Sequence, residues 1–82
     1  MIKAKIFVTL KDGILDPQGR AVQQSLQTLG FSSVDEVRIG KFLEVDIQET
    51  NKSAAEIQIK SMCEKLLANP VIENYRFEMM DF

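Results

Sequence analysis

The sequence contains no histidine and no tryptophan, and its only cysteine is Cys63. Without histidine, the chain lacks the usual general base at neutral pH and the commonest metal ligand. A single cysteine excludes an intrachain disulfide, which favours a reducing cytoplasmic compartment. We therefore expect no catalytic, cofactor-binding or metal-binding residue in this chain, and a cytoplasmic location.

Long hydrophobic runs and strong net charge are also missing. No apolar run approaches the roughly 18 residues that a membrane span requires, and we expect no signal peptide. A net charge of −2 and a pI of about 5.0 give no attraction to nucleic acid or to anionic membranes. The 82 residues predict one domain over residues 1–82, with a core small enough to gain stability from a second subunit.

Hydrophobic periodicity alternates between strand-like and helical along the chain. The order β-α-β-β-α-β predicts an α+β, ferredoxin-like fold, which is a four-stranded antiparallel sheet with two helices on one face. The second helix carries an apolar stripe that includes Cys63 and Leu66. The predicted strands lie near residues 2–11, 34–39, 43–49 and 73–80, and the predicted helices near 17–29 and 54–68.

Capping residues predict where the helices begin and end. Asp16 is a favourable N-cap, and Pro17 suits the first helical position. Gly30 predicts the end of this helix in the left-handed conformation. Ser53 and Glu56 have the spacing of a capping box, which predicts Ser53 as the N-cap of the second helix.

The two middle strands are predicted to form a hairpin that turns at residues 40–42. A turn of odd length places Val37 and Ile39 on the same buried face as Leu43. We therefore predict an odd turn, or a bulge, rather than a two-residue loop.

The stretch "KDGILDPQGRA", residues 11–21, does not have the spacing of a phosphate-binding loop. Five residues separate Gly13 from Gly19, and no Lys-Ser or Lys-Thr pair follows. An anion at the helix N-terminus is conceivable, but Asp16 would place a negative charge there. We interpret the stretch as a strand-to-helix corner whose bare Gly19 backbone lets another chain come close.

Three other patterns have simple structural interpretations. The segment "RIGKFLEV" has only one aromatic, Phe42, which argues against an RNA-recognition strand. Cys63 has no histidine to activate it and is interpreted as a core residue. The acidic residues are interpreted as a solvated strand face; they are Asp35, Glu36, Glu44, Asp46 and Glu49.

Four apolar side chains are left over from the predicted core. If they share one sheet face, they predict a contact between copies of the chain. They are Phe7, Phe42, Met80 and Phe82.

The segments "VTLKDGILDPQGRAV" (8–22), "VRIGKFLEV" (37–45) and "LLANPVIENYRFE" (66–78) closely resemble the PurS family, the small subunit of phosphoribosylformylglycinamidine synthase. This resemblance implies a subunit without its own catalysis, in de novo purine biosynthesis. It would bridge the glutaminase PurQ and the ATP-dependent synthetase PurL and assist ammonia transfer between them. ATP and Mg would be bound by PurL, and the chain would form a homodimer or a larger assembly.

A regulatory module that binds a small metabolite on a ferredoxin-like fold remains the alternative. It would predict saturable ligand binding by the isolated chain. Under the PurS interpretation, the candidate partner-interface residues are Asp16, Pro17, Gln18, Gly19, Arg38, Gly40, Lys41, Asn69 and Pro70.

Overall fold

The computed structural model describes residues 1–82 and has an α+β architecture with an antiparallel sheet, as predicted. The elements in chain order are β1 (Ile2–Leu10), α1 (Pro17–Thr28), β2 (Gly40–Ile47), α2 (Lys52–Met62), a π-helical turn (Cys63–Leu67) and β3 (Glu73–Asp81).

The sheet has β1 at its centre, in the order β2-β1-β3. Ile6 lies opposite Leu43 on one side and opposite Phe77 on the other. The alternating apolar residues of β1 all point to the face covered by α2, where Ile59 and Cys63 meet them. The buried hydrophobic residues are Ile2, Ala4, Ile6, Val8, Ile47, Ala55, Ile59, Cys63 and Ala68.

The predicted fourth strand is absent, so the sheet has three strands. Residues 34–39 form no strand, and residues 40–42 do not turn but begin β2, where Phe42 pairs with Phe7. The segment lies instead beside α1, because Gln23 donates to the Asp35 carbonyl (2.7 Å) and Gln27 to the Val34 carbonyl (3.1 Å). The prediction of a hairpin between residues 34–39 and residues 43–49 is therefore wrong.

Helix α1 also departs from the prediction, because it does not pack on the sheet with α2. The apolar residue Val22 on α1 is 39% exposed, and Leu29, the residue that caps its C-terminus, is 73% exposed. The molecule is consequently long and thin, with extents of 49 × 28 × 14 Å. Its radius of gyration is 16.2 Å, whereas a compact chain of this length would have about 12 Å.

Most helix ends lie where the capping residues of the sequence predicted them. The Asp16 carboxylate accepts from the Gly19 amide (2.9 Å), which confirms the predicted cap of α1, and Gly30 has the predicted positive φ, at 105°. The predicted Ser53 cap is wrong. Asn51 caps α2, because its side-chain oxygen reaches the amides of both Ser53 (2.9 Å) and Ala54 (3.2 Å).

Candidate functional site

The interface candidates all lie at one end of the sheet. The corner follows the end of β1, while β2 and β3 begin at this same end because both run antiparallel to β1. We call this region the corner end. It contains Asp16, Pro17, Gln18, Gly19, Arg38, Gly40, Lys41, Asn69 and Pro70.

Asp16 joins two separate segments of the corner end. One carboxylate oxygen accepts from the Ile39 amide (2.8 Å), and the other accepts from the Gly19 amide (2.9 Å). These hydrogen bonds, that from Ile39 first, lower the pKa of Asp16, and the nearby positive charge of Arg38 adds to the effect. The Asp16 side chain is therefore used within the chain, holding α1 to the segment that precedes β2.

Gly19 is buried, and its close neighbour belongs to the same chain. A Cβ atom at this position would lie 2.2 Å from the Val37 carbonyl oxygen. The close approach that the sequence suggested for a partner is thus made by residues 34–39. Pro17 and Gln18 remain exposed beside it, and their role as partner contacts stays a prediction.

Arg38 lines an open polar groove between the corner and α1. Its guanidinium forms an ion pair with Asp12 at 3.1 Å, and the Asp12 side chain is almost fully exposed. Such an exposed pair contributes little stability. The groove also contains Arg20 and the amide side chains of α1, so it is suited to hydrogen bonding with a polar surface.

Lys41 and Asn69 organise the other half of the corner end. The Lys41 ammonium lies 3.5 Å from the Leu67 carbonyl and 4.0 Å from Glu73. The Asn69 amide donates to the Glu73 carboxylate (2.6 Å), and the Asn69 side chain accepts from the Val71 amide (3.1 Å). These contacts fix the loop that carries Pro70 toward solvent.

Gly40 is required where β2 begins against β1. A Cβ atom there would lie 2.1 Å from the Val8 carbonyl oxygen and 3.0 Å from the Thr9 methyl group. The residue thus permits close packing of two backbones and does not form the predicted turn.

An apolar patch at the corner end was not predicted. Leu66 and Val71 are 82% and 78% exposed, next to Pro70. The predicted helical stripe placed Leu66 in the core, but the π-helical turn shifts the phase of the helix by one residue. Leu67 packs against the core instead. Nothing in the hydrophobic pattern distinguishes these two leucines.

The four left-over apolar residues share the outer sheet face, which is the condition on which the predicted contact between copies depends. The rings of Phe7 and Phe42 are 5.1 Å apart, and the Arg76 guanidinium lies 4.0 Å above Phe7. Met80 pairs with Lys3, whose ammonium lies 5.5 Å from the Phe82 ring. A contact between copies through this face stays a prediction.

The thiol of Cys63 is fully buried. Desolvation raises its pKa, and the neighbouring Glu64 adds to the rise. A thiol held protonated in an apolar site is a poor nucleophile, so Cys63 acts as a core residue. No group of three or more His, Cys, Asp or Glu side chains is arranged to hold a metal ion.

None of the helices is both long enough and apolar enough to span a membrane.

Comparison with known proteins places this chain in one family. Residues 3–81 match PurS, described as phosphoribosylformylglycinamidine (FGAM) synthase. The PurS subunit of Bacillus subtilis is 48% identical over 79 residues, which cover 96% of this chain and 93% of that protein. The PurS subunit of Methanocaldococcus jannaschii is 39% identical over 79 residues, covering 96% and 95% of the two chains.

Solved structures agree with the sequence comparison. The B. subtilis PurS crystal structure superimposes with a TM-score of 0.88 and 47% identity, over 99% of this chain and 100% of that one. A chain in the structure of PurLQS from Thermotoga maritima gives a TM-score of 0.85 and 27% identity, over 98% and 99% of the two chains. The chain therefore belongs to the PurS family of phosphoribosylformylglycinamidine synthase subunits.

Proposed function

We propose that this chain is a non-catalytic subunit that joins a glutaminase, PurQ, to an ATP-dependent synthetase, PurL, and assists ammonia transfer between them in de novo purine biosynthesis. The observation that carries the proposal is the match to a chain in the PurLQS structure from T. maritima, with a TM-score of 0.85 over 98% of this chain.

The chemistry of the chain is consistent with a positioning role. Its one thiol is buried and held protonated, so glutamine hydrolysis belongs to PurQ, while ATP and Mg bind to PurL. Ammonia is small and easily lost to water, so the two active sites must be held in register. Holding reacting groups together can contribute several kcal/mol without any catalytic side chain. This work would take place in the cytoplasm.

The corner end is the surface we propose for the enzyme subunits. It combines an exposed apolar patch, at Leu66 and Val71, with the charged groove beside Arg38. Interfaces commonly surround such an apolar centre with a polar rim. Pro17, Gln18 and Pro70 are exposed at its margin.

Self-association is a further part of the proposal. The chain leaves large apolar side chains exposed just after α1, at Leu29 and Phe31, and on the outer sheet face, at Phe42. An 82-residue chain that leaves so much apolar surface in water gains stability by covering it with another copy. We propose a homodimer or a larger homo-oligomer.

The test is an assay of amidine formation with purified PurQ and PurL. Adding this chain should produce a co-eluting complex and strong glutamine-dependent synthesis, while synthesis from free ammonia should depend on it much less. Full glutamine-dependent turnover without the chain would refute the bridging role. Saturable binding of a small metabolite by the isolated chain would then favour a regulatory module.

Two matched variants test the proposed surface. Val71→Glu should weaken co-elution with the enzyme subunits, because it puts a charge into the apolar patch. Ile57→Glu is the control, since Ile57 is similarly exposed, at 70%, but lies on α2 away from the corner end. Equal binding of the two variants would exclude the patch from the interface.

A further inference from the structure

The corner between β1 and α1 contains the only aspartate of the chain that is followed by glycine, Asp12. Its side chain is 97% exposed, and its ion pair with Arg38, at 3.1 Å, is the only contact that restrains the carboxylate. An ion pair in open solvent is weak and breaks readily. The carboxyl group is therefore free to approach the main chain that follows it.

The main-chain amide of Gly13 is equally free. Gly13 is exposed, and its amide donates no hydrogen bond within the chain. A Cβ atom at Gly13 would have no neighbour within 4 Å, so the space around this residue is open. Glycine also has no side chain to hinder a group that approaches its nitrogen, and its backbone is the most mobile of all residues.

The other aspartates lack this combination. Asp16 is followed by proline, which has no N–H to react. The amide of Phe82, after Asp81, donates to the Met1 carbonyl (3.1 Å). The remaining two aspartates precede residues with bulky side chains; they are Asp35 and Asp46. No asparagine of the chain precedes glycine.

We propose that Asp12 is a site of spontaneous modification, at which aspartate isomerises to isoaspartate. The Gly13 nitrogen attacks the Asp12 Cγ atom, a C–N bond forms, and one carboxyl oxygen leaves as water with the amide proton and the carboxyl proton. Water then adds to one carbonyl of the resulting succinimide, and the C–N bond to that carbon breaks. Opening at Cγ restores aspartate, whereas opening at the main-chain carbonyl gives isoaspartate. The water released in the first step is regained in the second, so no other reactant is consumed.

Isoaspartate changes the shape of the corner. The Ile14 amide donates to the Lys11 carbonyl (3.2 Å), which closes a turn over Asp12 and Gly13, and Gly13 has the positive φ, 84°, that the third residue of such a turn adopts. In isoaspartate the main chain runs through the former side chain and is longer by one carbon atom. The turn is therefore distorted, and the carboxylate moves relative to Arg38.

These changes lie in the polar groove of the corner end, which Asp12, Gly13 and Arg38 line together. Isoaspartate at Asp12 should therefore weaken binding to the enzyme subunits. This effect on binding rests on the proposed function, while the modification itself does not.

Peptide mapping of the aged protein tests the modification. The full chain is kept at neutral pH for several weeks and cut after glutamate, which releases the peptide Met1–Glu36 with Asp12, Asp16 and Asp35 inside it. Electron-transfer fragmentation then locates isoaspartate, whose mass equals that of aspartate. About tenfold more isoaspartate is expected at Asp12 than at Asp16 or Asp35, because only Asp12 precedes an unhindered amide. Equal amounts at the three positions, or none at Asp12, would overturn the proposal.

Asp12→Glu is the matched control, because it keeps the charge but cannot close the five-membered ring. Isoaspartyl methyltransferase with labelled S-adenosylmethionine marks isoaspartate in the intact protein. The aged natural chain should take up label, and the aged variant should stay near the level of fresh protein. Equal labelling of the two aged proteins would show that the modification lies elsewhere.

Co-elution with PurQ and PurL tests the effect on binding. Each aged protein is compared with its own fresh sample. The natural chain should lose co-elution in proportion to its isoaspartate content, while the Asp12→Glu chain should lose little. Equal losses would refute an effect of isoaspartate on the corner end. Failure of the fresh natural chain to co-elute would instead refute the proposed function, and the peptide map would still decide the modification.

Discussion

Residues 14–39, which contain α1 and the extended segment before β2, form an arm that does not pack on the sheet. A single carboxylate holds this arm in shape. Asp16 caps α1 through Gly19 and also accepts from Ile39, which lies 23 positions further along the chain. The cap could be predicted from the sequence, because N-caps depend on neighbouring residues. The contact with Ile39 could not, since it depends on where residues 34–39 lie.

Replacing Asp16 with Asn should lower the melting temperature by several degrees at pH 7. The hydrogen bonds hold the pKa of Asp16 below its usual value, so its stabilising effect is present above the unfolded pKa and is lost as pH falls through the folded value. The difference between natural chain and variant should therefore shrink below about pH 4. Thermal unfolding followed by circular dichroism at both pH values measures this.

Asp35→Asn is the matched control for that experiment, because no hydrogen bond or ion pair of the Asp35 side chain is present in the structure. Its melting temperature should follow the natural chain at both pH values. If Asp16→Asn behaves in the same way, the carboxylate does not hold the arm.

Gly19→Ala should destabilise the arm. The added Cβ would lie 2.2 Å from the Val37 carbonyl oxygen, and a backbone carbonyl cannot move away as a flexible side chain can. A cost of about 1–3 kcal/mol is expected from such overpacking. Urea denaturation measures it, with exposed Gln18→Ala as the control, and equal stability of the two variants would show that the corner adjusts freely.

At the scale of elements, the strands β1 and β3 and both helices follow local patterns and were predicted within a few residues. The hairpin was not. A reversal at residues 40–42 and a straight continuation into β2 use the same alternation of apolar residues, so periodicity cannot choose between them. The π-helical turn was missed for a similar reason, because an apolar stripe fits either Leu66 or Leu67.

The π-helical turn predicts different effects of substituting an exposed and a buried residue in this part of the chain. Leu66→Ser should change the free energy of unfolding little, because Leu66 is 82% exposed. By contrast, Ile59→Ala should cost about 2–5 kcal/mol, since Ile59 is fully buried against the sheet. Comparable losses in denaturant titrations of the two variants would mean that α2 continues as a regular helix.

The whole molecule consists of one layer of helix on one sheet, and its arm does not pack on that sheet. Much of its apolar surface is therefore exposed. The sequence indicated this for the outer sheet face, through the left-over apolar residues, but not for α1. The role of the corner end as a partner surface stays a prediction. All nine of its candidate residues meet there, because strand order brings the ends of β1 and the starts of β2 and β3 together.

Stability should consequently depend on protein concentration. If copies cover each other's apolar surface, association adds to the free energy of unfolding by mass action. The melting temperature should rise over a hundredfold increase in protein concentration. A constant melting temperature for the natural chain would contradict association of the folded copies.

The π-helical turn at Cys63–Leu67 has a consequence for chain length. Such a turn accommodates one more residue than a regular helix needs over the same rise. Leu66 is largely exposed to solvent, so its removal should cost little buried surface. Deleting it should let α2 run on as an ordinary α-helix to Ala68 while β3 keeps its register, so a shortened chain should still melt cooperatively, without the exposed leucine of the corner end.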